Sequence, residues 1–93
     1  MRTESEIVDL GNYVESLFRQ EHFNNLYKEF QDQNVQQLLS TEPHEQKTRE
    51  SIYARTKGAG EFIGLMHNYI TLRDAIIDKV EADAHPRSED GDE

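Results

Sequence analysis

The chain reads as all-α: a long antiparallel helical hairpin whose first helix is kinked or broken near residue 21, assembling into an oligomeric bundle. Three observations predict this. Apolar residues recur at helical spacings of three and four in both halves of the chain. No stretch alternates with the period of two that a half-buried strand requires. Between the halves lies "LLSTEPHEQKTRE", residues 38–50, a strong helix-stop and helix-start signal.

The first helix opens at Thr3-Glu4-Ser5-Glu6, a capping box in which Thr3 accepts from the backbone near Glu6 and Glu6 reaches back. Ile7, Leu10, Val14 and Leu17 then form one apolar face. The next apolar set, Phe23, Leu26, Tyr27, Phe30, Val35, Leu38 and Leu39, is out of phase with it. The segment from Arg19 to His22 is therefore a kink, a break or a loop. Either one bent helix covers residues 4–39 or two helices meet near residue 21. With no Pro or Gly at the junction, the bent continuous helix is the favoured reading.

At the turn, Thr41 is placed to cap the second helix and Pro43 to occupy its first turn, where a missing N–H costs nothing. Glu42 and Glu45 suit the positive end of the helix dipole. The second helix then runs to about Ala84 before Pro86, roughly 60 Å at 1.5 Å per residue. Its apolar stripe is Ala59, Phe62, Met66, Tyr69, Arg73, Ile76 and Val80, widened by Ile63, Ile70 and Ile77. Arg73 can bury its stem in that stripe and offer its head to a carboxylate. The predicted core is Leu10, Val14, Leu17, Phe23 and Phe30 from the first half, with Phe62, Met66, Tyr69 and Ile76 from the second.

"KGAGEFIG", residues 57–64, places three glycines inside this second helix, each costing about 1 kcal/mol relative to alanine. The spacing G-x-G-x-x-x-G with no preceding strand does not fit a dinucleotide-binding fingerprint. A hinge at Gly58–Gly60 is one explanation. The other is close helix packing: Gly60 and Gly64 share a face with Asn68, Thr71 and Ala75, nearly opposite the main stripe, and small residues let a second helix approach. These five are the predicted oligomer interface.

The 93 residues bound a single domain over residues 1–84, followed by a disordered acidic tail at 85–93. Only 34% of the chain is apolar, and association would supply the core that one copy lacks. Without cysteine there is no disulfide, thiol nucleophile or Cys-based zinc site. His22, His44, His67 and His85 form no metal-ligand spacing, and Ser5, Ser16, Ser40 and Ser51 have no evident base partner. The reading is of a protein that is not an enzyme, with no catalytic residue, no metal and no cofactor.

The net charge is −9, of which residues 81–93 carry −5, with six acids against one arginine. Such a chain repels phosphates and has no basic stripe, so direct nucleic-acid binding is not expected. Nor is a membrane partner expected, since no apolar run approaches the ~18 residues of a membrane span. The polar N-terminus lacks a signal peptide's apolar stretch, and the expected location is cytoplasmic.

"STEPHEQKTRESIY", with Thr41, Pro43, Arg49, Glu50 and Tyr53, resembles the central turn of short all-α accessory proteins encoded by tailed bacteriophages. The similarity of pattern covers roughly residues 10–80. The resemblance implies a small phage protein in the host cytoplasm or the virion. With the second face of the long helix unsatisfied and no site chemistry evident, the expected function is a non-enzymatic oligomeric protein–protein interaction module, with itself and other proteins as partners. The resemblance makes it a phage assembly or virion-associated accessory protein. The alternative is a small acidic inhibitor of a host nucleic-acid-processing enzyme.

Overall fold

The computed structural model describes residues 1–84, and the tail expected to be disordered lies outside them. Three helices make up the described chain: α1 (Glu4–Phe18), α2 (Glu21–Leu39) and α3 (Gln46–Ala84). Among the described residues there is no strand.

The capping box forms as the sequence dictates. The Thr3 N–H donates to Glu6 Oε1 at 2.8 Å, and the Glu6 N–H donates to Thr3 Oγ1 at 3.1 Å. Two of the donors that a helix start leaves unpaired are thereby satisfied.

The expectation of one bent helix over residues 4–39 does not hold, because the helix is broken at Arg19–Gln20. Gln20 is extended at φ −85° and ψ 121°, a geometry open to any residue, so neither Gly nor Pro is needed. Side chains on either side hold the break. Asn24 Nδ2 donates to the Phe18 carbonyl at 2.8 Å, satisfying a carbonyl that the end of α1 leaves free. The rings of Phe18 and Phe23 stack with centroids 5.9 Å apart.

The second helix start also differs from expectation. Thr41 does not cap α3. Its hydroxyl donates back to the Leu38 carbonyl at 2.7 Å, closing α2, and accepts from Arg49 Nη1 at 2.7 Å. Pro43 falls in a separate turn in which the Glu42 N–H donates to Glu45 Oε1 at 2.7 Å. The first helical bond of α3 follows, from the Arg49 N–H to the Glu45 carbonyl at 3.0 Å. Ending α2 and starting α3 thus take separate side chains.

Contacts gather the chain into two units. The first joins Met1–Glu15 to the part of α3 from Met66 onward. Here Gly11 lies against α3 so closely that a Cβ at that position would sit 2.6 Å from Arg73 Cβ and 2.8 Å from the Tyr69 carbonyl oxygen. Only glycine allows that approach. Val14 and Met66 are the buried hydrophobic residues of this unit's described part. At the periphery Lys79 pairs with Glu4 at 3.5 Å, and Arg2 lies over the Tyr69 ring and donates to its hydroxyl.

The second unit is Ser16–Leu65: the end of α1, all of α2 and the first part of α3. In this unit α3 turns Ile52, Thr56, Ala59 and Ile63 toward cover, at spacings of four, three and four. On α2 the covered residues are Phe23, Tyr27, Gln31, Asn34 and Leu38. Hydrogen bonds from Gln31 to Thr56 and from Arg55 to Asn34 set α2 antiparallel to this part of α3.

Phe30 and Phe62, expected in the core, are exposed at 38% and 61%. Phe62 sits one residue, about 100° of helix, from the covered Ile63. Phe30 flanks a seam occupied by amides. Of the remaining predicted core residues, Val14 and Met66 are buried, and Leu10, Leu17, Phe23, Tyr69 and Ile76 are half-buried.

Candidate functional site

Each unit holds one polar cluster, and each cluster sits where two helices meet. In the first unit the centre is Arg73, whose side chain is only 10% exposed. Its Nη1 donates to Asn12 Oδ1 at 3.0 Å and to Glu15 Oε1 at 2.5 Å. Its Nε and Nη2 both donate to Asp74 Oδ1, at 3.0 and 2.8 Å. The hydrogen bond to Glu15, then that to Asp74, holds the guanidinium above its ordinary value. A raised cation contributes fully below its unfolded value and loses that contribution only as pH rises past it, so the Arg73 contribution is constant through the neutral range.

The cluster of the second unit is neutral apart from one arginine. Asn34 is the most buried polar residue, at 2%. Its Nδ2 donates to Gln31 Oε1 at 3.1 Å, and its Oδ1 accepts from Arg55 Nε at 2.9 Å. Gln31 Nε2 donates to the Tyr27 hydroxyl at 3.0 Å and to the Thr56 carbonyl at 3.2 Å. Arg55 also donates to Gln37. Each buried amide thus exchanges water for a protein partner, which keeps its burial from being costly.

These clusters bind helix to helix. The accessible chemistry lies outside them. Leu26, Phe30, Val35, Leu39, Tyr53, Phe62 and Leu65 of the second unit all stand exposed, as do Tyr13, Leu72, Ile77 and Val80 of the first. Among the described residues no group of three His, Asp or Glu side chains could hold a metal ion. No described helix is long and apolar enough to cross a membrane. The grooves near the α2–α3 connection are shallow; one is lined by Gln37, Thr41, Thr48, Ile52 and Arg55.

Gly60, Gly64, Asn68, Thr71 and Ala75, the predicted interface, are all exposed. A Cβ on Gly64 would meet nothing within 4 Å, and one on Gly60 would meet only the Tyr27 hydroxyl at 3.9 Å. Among the described residues, no backbone of another helix comes within 4 Å of a Cβ at either position. Within the chain, a close approach occurs at Gly11.

Gly11, Gln31, Asn34 and Arg55 are the residues that apolar periodicity misses. A signal for the amides exists: Gln31, Asn34 and Leu38 continue the spacing of Tyr27 on α2, at four, three and four. It becomes visible only if amides are admitted as seam residues.

Comparison with family models, with curated proteins and with solved structures gives no match to this chain.

Proposed function

We propose that this chain is a non-enzymatic protein–protein interaction module, a helical hairpin that completes its core by associating with further copies of itself. The observation that carries this reading is the imbalance between buried and exposed apolar side chains. Val14, Ile52 and Met66 are the buried hydrophobics among the described residues, and no large side chain there is fully enclosed. Meanwhile Leu26, Leu39, Tyr53 and Phe62 each expose more than 60% of their surface. Burying a large apolar side chain stabilises by about 1.5–3 kcal/mol, so covering several of them is a substantial drive to associate.

Taken with the resemblance of the central turn to phage accessory proteins, the module serves in particle assembly, in the host cytoplasm or the virion. Sedimentation equilibrium over a hundredfold range of concentration tests the reading. The expected result is a mass above that of the monomer, with helix content that rises or holds as the chain associates. A chain that remains monomeric throughout would overturn it and favour the acidic inhibitor of a host nucleic-acid-processing enzyme.

A further inference from the structure

In the first unit the covered stripe of α3 is Met66, Ile70 and Arg73, and Ile77 and Val80 continue it at spacings of four and three. The stripe outruns its cover. α1 begins at Glu4, which already pairs with Lys79 at 3.5 Å. Met66 and Arg73 are buried, whereas Ile77 is 38% exposed and Val80 56%. Carboxylates frame this open end. Asp74, Asp78 and Glu81 form a neighbouring stripe on one side, and Asp83 lies on the other. Among the described residues, Asp78, Glu81 and Asp83 pair with no base. Glu81 and Asp83 also stand in the last turn of α3, which holds no basic residue, and the C-terminal end of a helix is its negative pole. Negative charge is thus gathered where the helix tolerates it least, beside apolar surface that no helix of this unit covers.

We propose that the open end of α3 docks a cationic amphipathic helix of another protein. Its apolar side chains cover Ile77 and Val80, and its Lys or Arg groups meet Asp78, Glu81 and Asp83. This goes beyond the self-association reading above and does not depend on it.

Charge complementarity selects this occupant. The described part of the first unit holds three Lys and Arg against eight Asp and Glu. All three bases are engaged within the unit: Arg73 by Glu15 and Asp74, Lys79 by Glu4, and Arg2 by the Tyr69 ring. Nucleic acid or an anionic lipid surface is repelled by such a field, and a cationic partner is drawn to it. A second copy supplies no excess of base, since the second unit holds six Lys and Arg against seven Asp and Glu.

The chain's own tail does not match the surface either. Residues 85–93 contain no Leu, Ile, Val, Met or Phe to lay on Ile77 and Val80. They bring Glu89, Asp90, Asp92 and Glu93 against the single base Arg87, which adds to the charge instead of meeting it. A cationic helix answers both deficits at once: it extends the apolar seam past the start of α1 and places positive charge at the negative end of α3.

The test is fluorescence anisotropy of a labelled peptide of about 18 residues, Leu on one helical face and Lys on the other, titrated with the full chain. Wild type should bind it, and added salt should weaken the complex. Val80→Ser and the double Asp78→Asn/Glu81→Gln variant should each raise the dissociation constant about tenfold. Leu26→Ser and Phe62→Ser, which remove exposed apolar surface from the second unit, should leave it unchanged. Far-UV circular dichroism confirms that each variant keeps its helix content. A second peptide with Ser in place of Leu should bind at least about tenfold more weakly, separating a docked helix from simple attraction of charge. Failure of wild type to bind, or equal binding by the Val80 and Asp78/Glu81 variants, would overturn the proposal. So would loss of binding when only Glu89, Asp90, Asp92 and Glu93 are neutralised, since the tail would then be the binder. Sedimentation equilibrium without peptide reads self-association separately, so either reading can fail while the other stands.

Discussion

Where α1 meets the second part of α3, a buried cation and a glycine organise the contact. Where α2 meets the first part of α3, buried amides organise it. The difference is one of tolerance. Arg73 needs the Asn12 and Glu15 acceptors across the helix pair, and Gly11 admits no Cβ, so a shift along the helix costs both charge pairing and steric fit. The network around Asn34 is built from amides and a single arginine, Arg55, with no carboxylate paired to it, and amides find substitute partners in water far more cheaply than a buried guanidinium does. The first seam is specific and brittle. The second is permissive.

The largest effect should come from Gly11→Ala. A methyl group 2.8 Å from a backbone carbonyl cannot be relieved by a side-chain rotation, and overpacking of this kind costs about 1–3 kcal/mol. Urea denaturation at fixed protein concentration measures the loss, and hydrogen exchange locates it. Amides of α1 should exchange faster while those of α2 keep their protection. Equal loss in both helices would mean that the two regions open as one, and the contrast between them would be of composition only.

Next comes Asn34→Leu, which removes an acceptor from Arg55 and a donor from Gln31. A destabilisation of about 1–2 kcal/mol is expected, reduced to the extent that water reaches the orphaned groups. Here α2 should lose protection and α1 should keep it. A variant as stable as wild type would show the amide seam to be dispensable.

Thr3→Ala removes the hydroxyl that accepts from the Glu6 amide, and about 1 kcal/mol should be lost at the start of α1. Smallest of all is Lys28→Gln. Its ion pair with Asp32 is exposed, and although the hydrogen bond to Asp32 raises the lysine's pKa, solvent screening should leave the urea midpoint unchanged. A measurable shift would mean that this outer face of α2 is covered in solution.

Much of the helix content was legible because it is written in local terms. Thr3 and Glu6 cap α1 using atoms three residues apart, and the stop at Leu39 follows from the turn residues that come after it. The all-helical character follows from spacing alone. The break at Arg19–Gln20 was legible as a phase slip. That it is a break and not a bend depends on Asn24 and on the Phe18–Phe23 stack, side chains that act only once the corner exists. The position of Thr41 misled for a related reason: a hydroxyl beside a helix junction can close the preceding helix as readily as it opens the next.

Phe62 misled because a stripe three residues wide fits two adjacent phases, and hydrophobicity alone favours the one with the larger ring. What chose between them was the partner helix, whose seam residues are amides. Gly11 was unreadable from its own neighbourhood, since the groups it makes room for lie some sixty positions further along the chain. The candidate docking surface was hidden for the same reason. Which apolar residues remain uncovered is decided by tertiary pairing, not by the stripe.

That sequence separation has a kinetic consequence. The Gln31–Thr56 contact closes across 25 residues and the Arg73–Asn12 contact across 61. Loop-closure entropy makes the longer closure costlier by about 0.8 kcal/mol before any contact rewards it. We expect α2 and the first part of α3 to pair early in refolding, with α1 docking last. Pulse-labelling exchange during refolding should find the α2 amides protected first, and protection of α1 ahead of α2 would refute that order. A nascent chain would then present its amide seam, and the apolar surface beside it, while the glycine contact was still unmade.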